Sequence, residues 1–559
     1  RAGDLLPNPG DDFFNRAHGG KLVQATPEGQ VRNCPHRAAC VAACPQIILL
    51  WPQFVLPARC RKHVGDQRRS AEPSRYAHHG VHFKVPICND LWHTLRMQEH
   101  FSVSIMNEFA NASLGDERLS RRLPRLADAL ARQPQASIPR ATGSWGPACA
   151  AYRFLDHTTF TPHDVLQPHV QRSLERASVH PTVLAVADTT SLNYGPRPAT
   201  EGLGLIGSQA DKFFGLLQHT LLAFTPQGLP LGVLDSQCWA RDPAQFGGNH
   251  QRNRKPVADK ESAKWLRSYD ALQAHATRTP QTRWVMVADR ESDLYELFAL
   301  ARRTAPAPGV LVRAQHDRGV DGSTRRLFAH LARAPLAGRL RVQVPRRPGQ
   351  KARTATVSVR FRAVRVSAPL LKDDQPPLTL WAIEARELHP PRGRAPLHWR
   401  LLTTDPVQTL AQATERVGWY CVRWGIEVFH KVLKSGCAVE AVQLGTAARL
   451  QHYLAIKLVI AWQVQALTLL GRVQPEAEVR EILATGQWRL LCAATAGGGW
   501  GQRAAPKARE VLRRLGRLGG HLGRRGDGPP GPLCLARGLQ RLHDITLGWR
   551  LAHKTKQCA

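Results

Sequence analysis

Two stretches of the chain share a pattern that only a few folds can accommodate. In HPTVLAVADTTSL an apolar run ends at Asp188, and in TRWVMVADRESD another ends at Asp289. Apolar runs of this length, rich in β-branched residues and bounded by turn formers, are typical of strands buried on both faces of a sheet. Open α/β sheets place their functional groups at the carboxyl ends of such strands. The sequence therefore predicts an α/β fold with a carboxylate at the end of each of two core strands.

A third carboxylate lies on a predicted helix, WYCVRWGIEVFHKVLKSG. At about 100° per residue, several polar side chains fall on one stripe of that helix, opposite an apolar face. They are Tyr420, Arg423, Glu427, Lys431 and Lys434. Such a stripe is more often a solvated face or a line of internal salt bridges than a binding site. The alternative is that Glu427 joins the two aspartates in one site.

Three carboxylates form a cluster of hard oxygen ligands, which suits Mg²⁺ or Mn²⁺. Two such ions about 3.5 to 4 Å apart can activate a water or a 3′-hydroxyl and stabilise the leaving oxygen of a phosphodiester. In that interpretation Arg423, Lys431 and Lys434 bind backbone phosphates, and Tyr420 donates a hydrogen bond to one of them.

The charge of the chain favours a polyanionic partner. It has 77 basic and 43 acidic residues, a formal net charge of +34 and a pI of about 10.7. Nucleic acid is the first candidate and an anionic membrane surface the second. The apolar stretch LAIKLVIAWQVQALTLLG contains Lys457, Gln463 and Gln465, which argues against a membrane span. Without a charged and apolar leader, we expect a soluble protein whose cysteines are reduced thiols.

Residues 1–96 differ from the rest, because they combine five cysteines with many Pro, Gly and His and show no sustained periodicity. We interpret them as an upstream extension that does not belong to the natural protein, which would start at Met97 or Met106. The alternative is a metal site. Its ligands would be Cys34, Cys40, Cys44 and either Cys60 or His36. The spacing of these residues matches no common zinc or iron–sulfur pattern.

The remaining chain divides by its periodicity. Residues 97–170 are predicted to be helical, and there Arg118 and Arg122 lie beside a row of leucines. That basic face is either solvated or in contact with DNA. Residues 301–398 alternate Val and Phe with Arg, which predicts an antiparallel, strongly basic β-insertion. Residues 446–559 are rich in Leu, Ala and Arg and are predicted to be helical.

Several motifs of the chain match one known family. The helix carries the signature Y-x2-R-x3-E-x6-K without a gap, after two matching aspartate motifs, ADTTSL and ADRESD. Further matches are SLGDERL, YRF, DKESAKW, VRAQHDR, PLHWRLLT, and DGPPG followed by RGLQRL. The chain thereby resembles the bacterial DDE transposases of insertion-sequence family four, in particular those of the transposon-five type. The resemblance covers most of the chain, from near Phe101 onward.

The resemblance implies a fold and a reaction. The expected core is a ribonuclease-H-like catalytic domain, a mixed sheet flanked by helices, formed by 171–300 and 399–445 and interrupted by the β-insertion. A helical DNA-binding domain precedes it at 97–170, and a helical dimerisation region follows at 446–559. The implied reaction is cut-and-paste transposition, with Mg²⁺-dependent cleavage at terminal inverted repeats, hairpin formation, and strand transfer into target DNA. We expect a homodimer on DNA, in the bacterial cytoplasm with the nucleoid and not on a membrane.

The resemblance also assigns residues. Asp188, Asp289 and Glu427 correspond to the catalytic, metal-binding carboxylates. Further DNA contacts are expected at Tyr420, Arg423, Lys431, Lys434, Arg313, Arg290, Arg118 and Arg122. Trp399 matches a tryptophan that stacks on a base flipped out of the duplex during the hairpin step. Gln315 stands where a close relative has lysine, which removes one expected phosphate contact.

Two other interpretations stay open. One is a DNA-binding relic or inhibitor that forms inactive dimers, and the other is a structure-specific nuclease of the same fold. The presence of all three carboxylates argues against the relic, and a nuclease needs neither the polar stripe nor Trp399. Mg²⁺-dependent nicking separates the enzymes from the inhibitor. Joining of 3′ ends to target DNA separates a transposase from a nuclease.

Overall fold

The computed structural model describes residues 104–557, apart from 198, 208–212, 243–255, 304–306, 321–325, 345–352, 370–374, 474, 480–481, 484, 496–503 and 525–526. Residues 1–96, with the cysteines considered as metal ligands, lie outside the described residues. Within the described part the chain forms two compact units. The smaller unit comprises Leu336–Arg360 and Glu384–Trp399, and the larger unit comprises all the others.

Helices dominate the first and last parts of the described sequence. The N-terminal helices are α1 (Ile105–Glu108), α2 (Glu117–Arg132), α3 (Ile138–Thr142), α4 (Trp145–Leu155) and α5 (Pro162–Ser178). Those between strands are α6 (Ala263–Arg278), α7 (Tyr295–Arg303) and α8 (Leu327–Ala332). After the strands come α9 (Leu410–Val422), α10 (Trp424–Lys431), a π-helical turn (Val432–Gly436), α11 (Ala447–Val473), α12 (Thr485–Thr495), α13 (Ala508–Leu518) and α14 (Pro532–Gln557). Short 3₁₀ turns cover Val257–Asp259, Arg290–Ser292 and Val439–Ala441.

The strands are β1 (Thr182–Asn193), β2 (Gly204–Leu205), β3 (Phe214–Phe224), β4 (Pro230–Trp239), β5 (Arg283–Ala288), β6 (Gly309–Arg313), β7 (Gly338–Val344), β8 (Arg353–Val366), β9 (Leu378–Glu387) and β10 (His398–Thr403). In the larger unit they follow the order β2-β3-β1-β5-β6-β10, and β4 pairs with β3. β1 runs antiparallel to β3 and parallel to β5, and β5 runs parallel to β6. The sheet is mixed and flanked by helices, so the predicted α/β class is confirmed.

The two predicted core strands lie in the middle of this sheet. Residues 183–187 of β1 and 284–288 of β5 are all buried. Helices α6 and α10 both contact β1. Strands covered by helices in this way need apolar residues at every position, which explains why their sequences show continuous runs instead of alternation.

The hairpin predicted to turn at Gln227 and Gly228 joins β3 to β4. Gly228 has a φ of 89°, a left-handed conformation that favours glycine because it has no Cβ. The N–H of Gly228 donates to the carbonyl oxygen of Thr225 at 2.8 Å. The N–H of Thr225 donates to the carbonyl oxygen of Leu229 at 2.9 Å. The turn therefore satisfies its own backbone while it reverses the chain.

The basic segment at 301–398 is only partly an insertion. β7 and β8 pair in antiparallel register, as the alternation of apolar and arginine residues predicted. β6 belongs instead to the central sheet, where it pairs in parallel with β5 and Gly309 lies opposite Val285. Its sequence, GVLVR, is an apolar run too short for periodicity to separate it from the insertion.

A buried ion pair fixes α1 to the rest of the larger unit. Arg176 on α5 donates two hydrogen bonds to Glu108, at 2.8 and 3.1 Å. His169 contacts Glu108 through Nδ1 at 2.5 Å, and its Nε2 accepts the backbone N–H of Val233 at 3.0 Å. Burial raises the pKa of Glu108, but His169 and Arg176 outweigh that effect and lower it to about 2. The carboxylate is therefore ionised and fully paired inside the protein.

Helix α11 is long and apolar enough to cross a membrane over Ala447–Gly471, but the most apolar part of this span is mostly buried inside the protein. Lys457 lies fully buried on this helix. Its Nζ donates to the carbonyl oxygen of Pro134 at 2.9 Å and lies 5.2 Å from the ring centroid of Tyr453. Because Pro134 follows α2, this contact ties the N-terminal helices to α11.

Candidate active site

The register of the central strands brings the two predicted aspartates side by side. β1 pairs in parallel with β5, with Val186 opposite Val287. Two residues further along both strands, Asp188 comes level with Asp289, and neighbouring strands are about 4.8 Å apart. β6 continues the parallel arrangement on the other side of β5, so its last residue, Arg313, comes level with Asp289.

The third carboxylate reaches the site from a helix with two interruptions. The sequence predicted one continuous helix over 419–436, but α9 ends at Val422, α10 begins at Trp424, and a π-helical turn follows. Glu427 lies in α10 and is half-buried. A π turn holds more residues than an α turn, so it rotates Lys434 away from the direction that regular periodicity predicts.

The junction between α9 and α10 carries Arg423, which links two of the carboxylates. One Nη of Arg423 lies 3.5 Å from Asp188 Oδ2, and the other donates a hydrogen bond to Glu427 Oε1. Its guanidinium carbon lies 5.9 Å from the ring centroid of Tyr420. Only 14% of the Arg423 side chain is exposed. Within the polar stripe, Arg423 and Glu427 thus form a salt bridge, and Arg423 also reaches Asp188 on β1.

The carboxylates act on one another electrostatically. Burial raises the pKa of Asp188 to about 7, Arg423 counteracts this effect, and Asp289 and Glu427 add to it. The backbone N–H of Thr189 donates to Asp188 Oδ1 at 2.8 Å, which favours the ionised form. The strand register places Asp188 level with Asp289, and Arg423 links Asp188 to Glu427.

The donor set suits a divalent cation by its chemistry, since clustered carboxylates are hard ligands whose repulsion a cation relieves. Among the residues that the structure describes, however, no three His, Cys, Asp or Glu side chains are arranged to hold one metal ion. Asp188 and Glu427 are instead both bonded to the guanidinium of Arg423. Metal binding by the three carboxylates therefore stays a prediction.

Glu440 is a site residue that the sequence did not indicate. It lies in the 3₁₀ turn after the π turn, and its Oε1 accepts the backbone N–H of Asn193 at 2.8 Å. The same oxygen lies 4.0 Å from Lys434 Nζ. Burial lowers the pKa of Lys434, and Glu440 raises it. Glu440 thus connects the end of β1 to one of the predicted phosphate-binding lysines.

The other predicted DNA contacts occupy several elements. Arg290 is half-buried in the 3₁₀ turn directly after β5, and Lys431 is half-buried at the end of α10. Trp399 is half-buried on β10 and belongs to the smaller unit. Arg118 on α2 is exposed and lies 3.2 Å from the carboxylate of Asp116.

Gln315, the departure from the family pattern, lies in a turn held by Asp293. The backbone N–H groups of Gln315 and His316 donate to Asp293 Oδ2 at 2.8 and 2.9 Å. Arg318 donates to Asp293 Oδ1 at 2.8 Å. The backbone at this position therefore has a structural role that does not depend on the side chain.

Two family models match parts of the chain outside the segments that carry the three carboxylates. Residues 104–160 match the transposase DNA-binding family, and residues 459–558 match the transposase Tn5 dimerisation domain. The chain is a DNA transposase. The transposase binds DNA and forms a homodimer, since it carries both of these domains.

Within the matched DNA-binding domain of the transposase, α2 separates its apolar and basic sides as predicted. Leu119, Leu123 and Leu126 are buried, whereas Arg118 is exposed and Arg122 is half-buried. The arginines are thus left on the outer side of α2.

Among solved structures, the piggyBac transposase synaptic complex with hairpin DNA is similar over 70% of this chain and 77% of that chain, at 9% identity and a TM-score of 0.33.

Proposed function

We propose that the transposase cuts DNA at the ends of its element and joins them to target DNA, with Asp188, Asp289 and Glu427 as catalytic carboxylates. The observation that carries this proposal is that Asp188 and Asp289 come level at the carboxyl ends of two neighbouring parallel strands, while Arg423 pairs with both Asp188 and Glu427. The strand order also supports it. Three antiparallel strands, β4, β3 and β1, followed by the parallel strands β5 and β6, are the arrangement of ribonuclease-H-like domains.

The three carboxylates would hold one or two divalent cations, Mg²⁺ or Mn²⁺. A cation bound there supplies a Lewis acid that activates a water or a 3′-hydroxyl and stabilises the leaving oxygen of a phosphodiester. The chain's own contribution is to orient the ligands. The N–H of Thr189 orients Asp188, and the N–H of Glu291 donates to Asp289 Oδ1 at 3.0 Å.

Basic side chains around the carboxylates would bind the DNA backbone. Arg313 comes level with Asp289, and arginine can bind a phosphate through two parallel hydrogen bonds. Arg290, Lys431 and Lys434 would each add a further phosphate contact, and Arg423 is the basic residue paired directly with the carboxylates. Tyr420 is only 7% exposed, so it is better placed to support Arg423 than to meet a phosphate directly.

The DNA partners would be the terminal inverted repeats of the element and a target duplex. Arg118 and Arg122 on α2 would contact the repeats within the DNA-binding domain. A net charge of +34 adds sequence-independent attraction that falls as salt rises. We place the homodimer on DNA in the bacterial cytoplasm, associated with the nucleoid.

The test begins with the DNA that flanks the gene, searched for short inverted repeats from which a labelled end substrate is built. With Mg²⁺, the transposase should nick this substrate and join its 3′ ends to a target duplex, and EDTA should abolish both steps. Nicking without joining would identify a structure-specific nuclease. Binding of the ends without nicking would identify an inhibitor.

Trp399 gives this proposal a separate test at the hairpin step. If it stacks on a flipped base, Trp399→Ala should cost about 1 to 3 kcal/mol at hairpin formation and little at the first nick. Phe or Tyr should restore part of the loss, because a flat ring remains. A time course that resolves nicked, hairpin and double-strand-break products measures both steps. Equal slowing of the two would assign Trp399 to the packing of β10.

A further inference from the structure

Arg423 lies where the proposed site needs a cation. It reaches Asp188 Oδ2 at 3.5 Å and Glu427 Oε1 through different Nη atoms, in a largely buried position. A guanidinium matches carboxylate geometry and keeps its proton in proteins. Arg423 therefore neutralises part of the charge that neighbouring carboxylates would otherwise concentrate in the interior.

The same contacts compete with a divalent cation. An ion that binds Asp188 and Glu427 together competes with Arg423 for the same two carboxylates. A guanidinium also binds phosphate strongly. A contact that draws Arg423 toward a DNA phosphate releases Asp188 and Glu427, and these carboxylates can then bind metal more tightly.

We propose that Arg423 is a positioning residue that acts as the internal counter-cation of Asp188 and Glu427 in the DNA-free transposase and sets their affinity for divalent metal. DNA and metal then bind with positive cooperativity, and each raises the affinity for the other by the same factor. The proposal rests on the proposed function of these carboxylates. It gives Arg423 a role in the DNA-free protein, in addition to the proposed role of Arg423 as a phosphate ligand.

The first experiment measures Mn²⁺ binding to the full, DNA-free chain, from the electron paramagnetic resonance signal of free Mn²⁺. It is run at mildly alkaline pH, where carboxylates are ionised. Arg423→Gln should bind Mn²⁺ about tenfold more tightly than the wild type, because the metal no longer displaces two charge-assisted bonds. The matched control is Arg353→Gln, which removes an arginine paired with Glu387 in the smaller unit and should leave Mn²⁺ affinity unchanged.

Two outcomes separate this proposal from the proposed function. If Arg423→Gln binds Mn²⁺ no more tightly than the wild type, the counter-cation role is wrong and the carboxylate site still stands. Glu427→Gln should weaken Mn²⁺ binding both alone and with Arg423→Gln. If it leaves binding unchanged in both chains, the carboxylate site itself is wrong.

A second variant and a second measurement guard against misfolding. Arg423→Lys keeps a positive charge but cannot form two parallel bonds, so its Mn²⁺ affinity should lie between those of the wild type and Arg423→Gln. A short duplex of arbitrary sequence at low salt should then raise the Mn²⁺ affinity of the wild type and leave that of Arg423→Gln unchanged. Equal enhancement in both chains would overturn the proposed coupling.

Discussion

The two ends of the central strands carry opposite arrangements of charge. At the carboxyl ends, the guanidinium of Arg423 pairs with Asp188 and Glu427, and Asp289 comes level with Asp188 on the neighbouring strand. At the amino ends, two guanidiniums surround one carboxylate. Arg283, the first residue of β5, lies 2.8 Å from Asp405 Oδ2, and Arg416 on α9 lies 3.7 Å from the same atom. Arg416 also lies over the ring of Trp419, with its guanidinium carbon 4.1 Å from the centroid.

The difference between the ends separates a structural charge cluster from a functional one. At the amino ends Arg416 is paired with Asp405 and Glu415 and covered by an aromatic ring, so no further ion is called for. At the carboxyl ends negative charge is in surplus, and the pKa of Asp188 is raised to about 7 by burial and by its neighbours. A buried surplus of charge costs stability and is retained where binding or catalysis uses it.

The largest expected effect is on cleavage, at the carboxyl ends. Glu427→Ala and Glu427→Gln should each reduce strand cleavage by about a thousandfold or more, since a metal ligand is lost. Binding to the element ends should stay near that of the wild type, because the proposed role of this carboxylate is to hold metal and not phosphate. A nicking time course and a gel-shift assay on the same substrate measure the two effects. Loss of end binding equal to the loss of cleavage would make Glu427 structural.

At the amino ends the expected effect is on stability. Arg416 is 3% exposed and is the second arginine paired with Asp405, so Arg416→Ala removes a buried interaction and should lower the free energy of unfolding by about 1 to 3 kcal/mol. Urea denaturation measures this change, and cleavage per folded molecule should not change. Arg509, 73% exposed, is the control, and Arg509→Ala should stay within about 0.5 kcal/mol of the wild type. If Arg416→Ala lost cleavage with unchanged stability, the assignment of Arg416 to a structural charge cluster would be contradicted.

The surplus of negative charge should also appear as a dependence of stability on pH. The folded-state pKa of Asp188, about 7, lies above the ordinary value, so its stabilising contribution is present below about pH 4 and is lost as the pH rises through 7. In EDTA, the unfolding free energy of the wild type relative to Asp188→Asn should fall by up to about 4 kcal/mol over that interval. Denaturation curves of the wild type and of Asp188→Asn at the two pH values test this. An equal change of the unfolding free energy in both chains would contradict a surplus of negative charge.

The smallest expected effect concerns Lys434, which is already paired with Glu440. Lys434→Ala should reduce the salt dependence of DNA binding by up to about one counterion, since one phosphate contact is lost. Arg509→Ala serves as the matched removal of one positive charge. A slope that changes equally in both variants would show that only overall charge matters.

The strand ends could be predicted from the sequence because their physics is local. Unbroken apolar runs before Asp188 and Asp289 require strands covered on both faces, and Gly228 marks the turn of a hairpin. The separation of leucines from arginines on α2 follows from helical periodicity in the same way. The metal-binding and catalytic roles of the carboxylates stay predictions, which the cleavage and Mn²⁺ measurements test.

The remaining features could not be predicted because they depend on contacts distant in sequence. Periodicity placed Arg423 beside Glu427, but it could not decide whether the arginine would meet a phosphate or the carboxylate of Asp188 on another element. Glu440 has no periodic relation to Lys434, because a π turn and a change of direction separate them. β6 is too short to reveal that it joins the central sheet.

The buried lysine of α11 has a consequence for how the chain is made. As this helix leaves the ribosome, it has not yet packed against the rest of the protein. The segment Ala447–Gly471 is then long and apolar enough to enter a lipid bilayer. A lysine near the centre of such a segment costs about 2.5 to 3.5 kcal/mol during membrane insertion. In the folded protein Lys457 meets the carbonyl oxygen of Pro134, which lies 323 residues earlier and is already synthesised. The one side chain therefore opposes insertion into lipid and favours docking against the N-terminal helices.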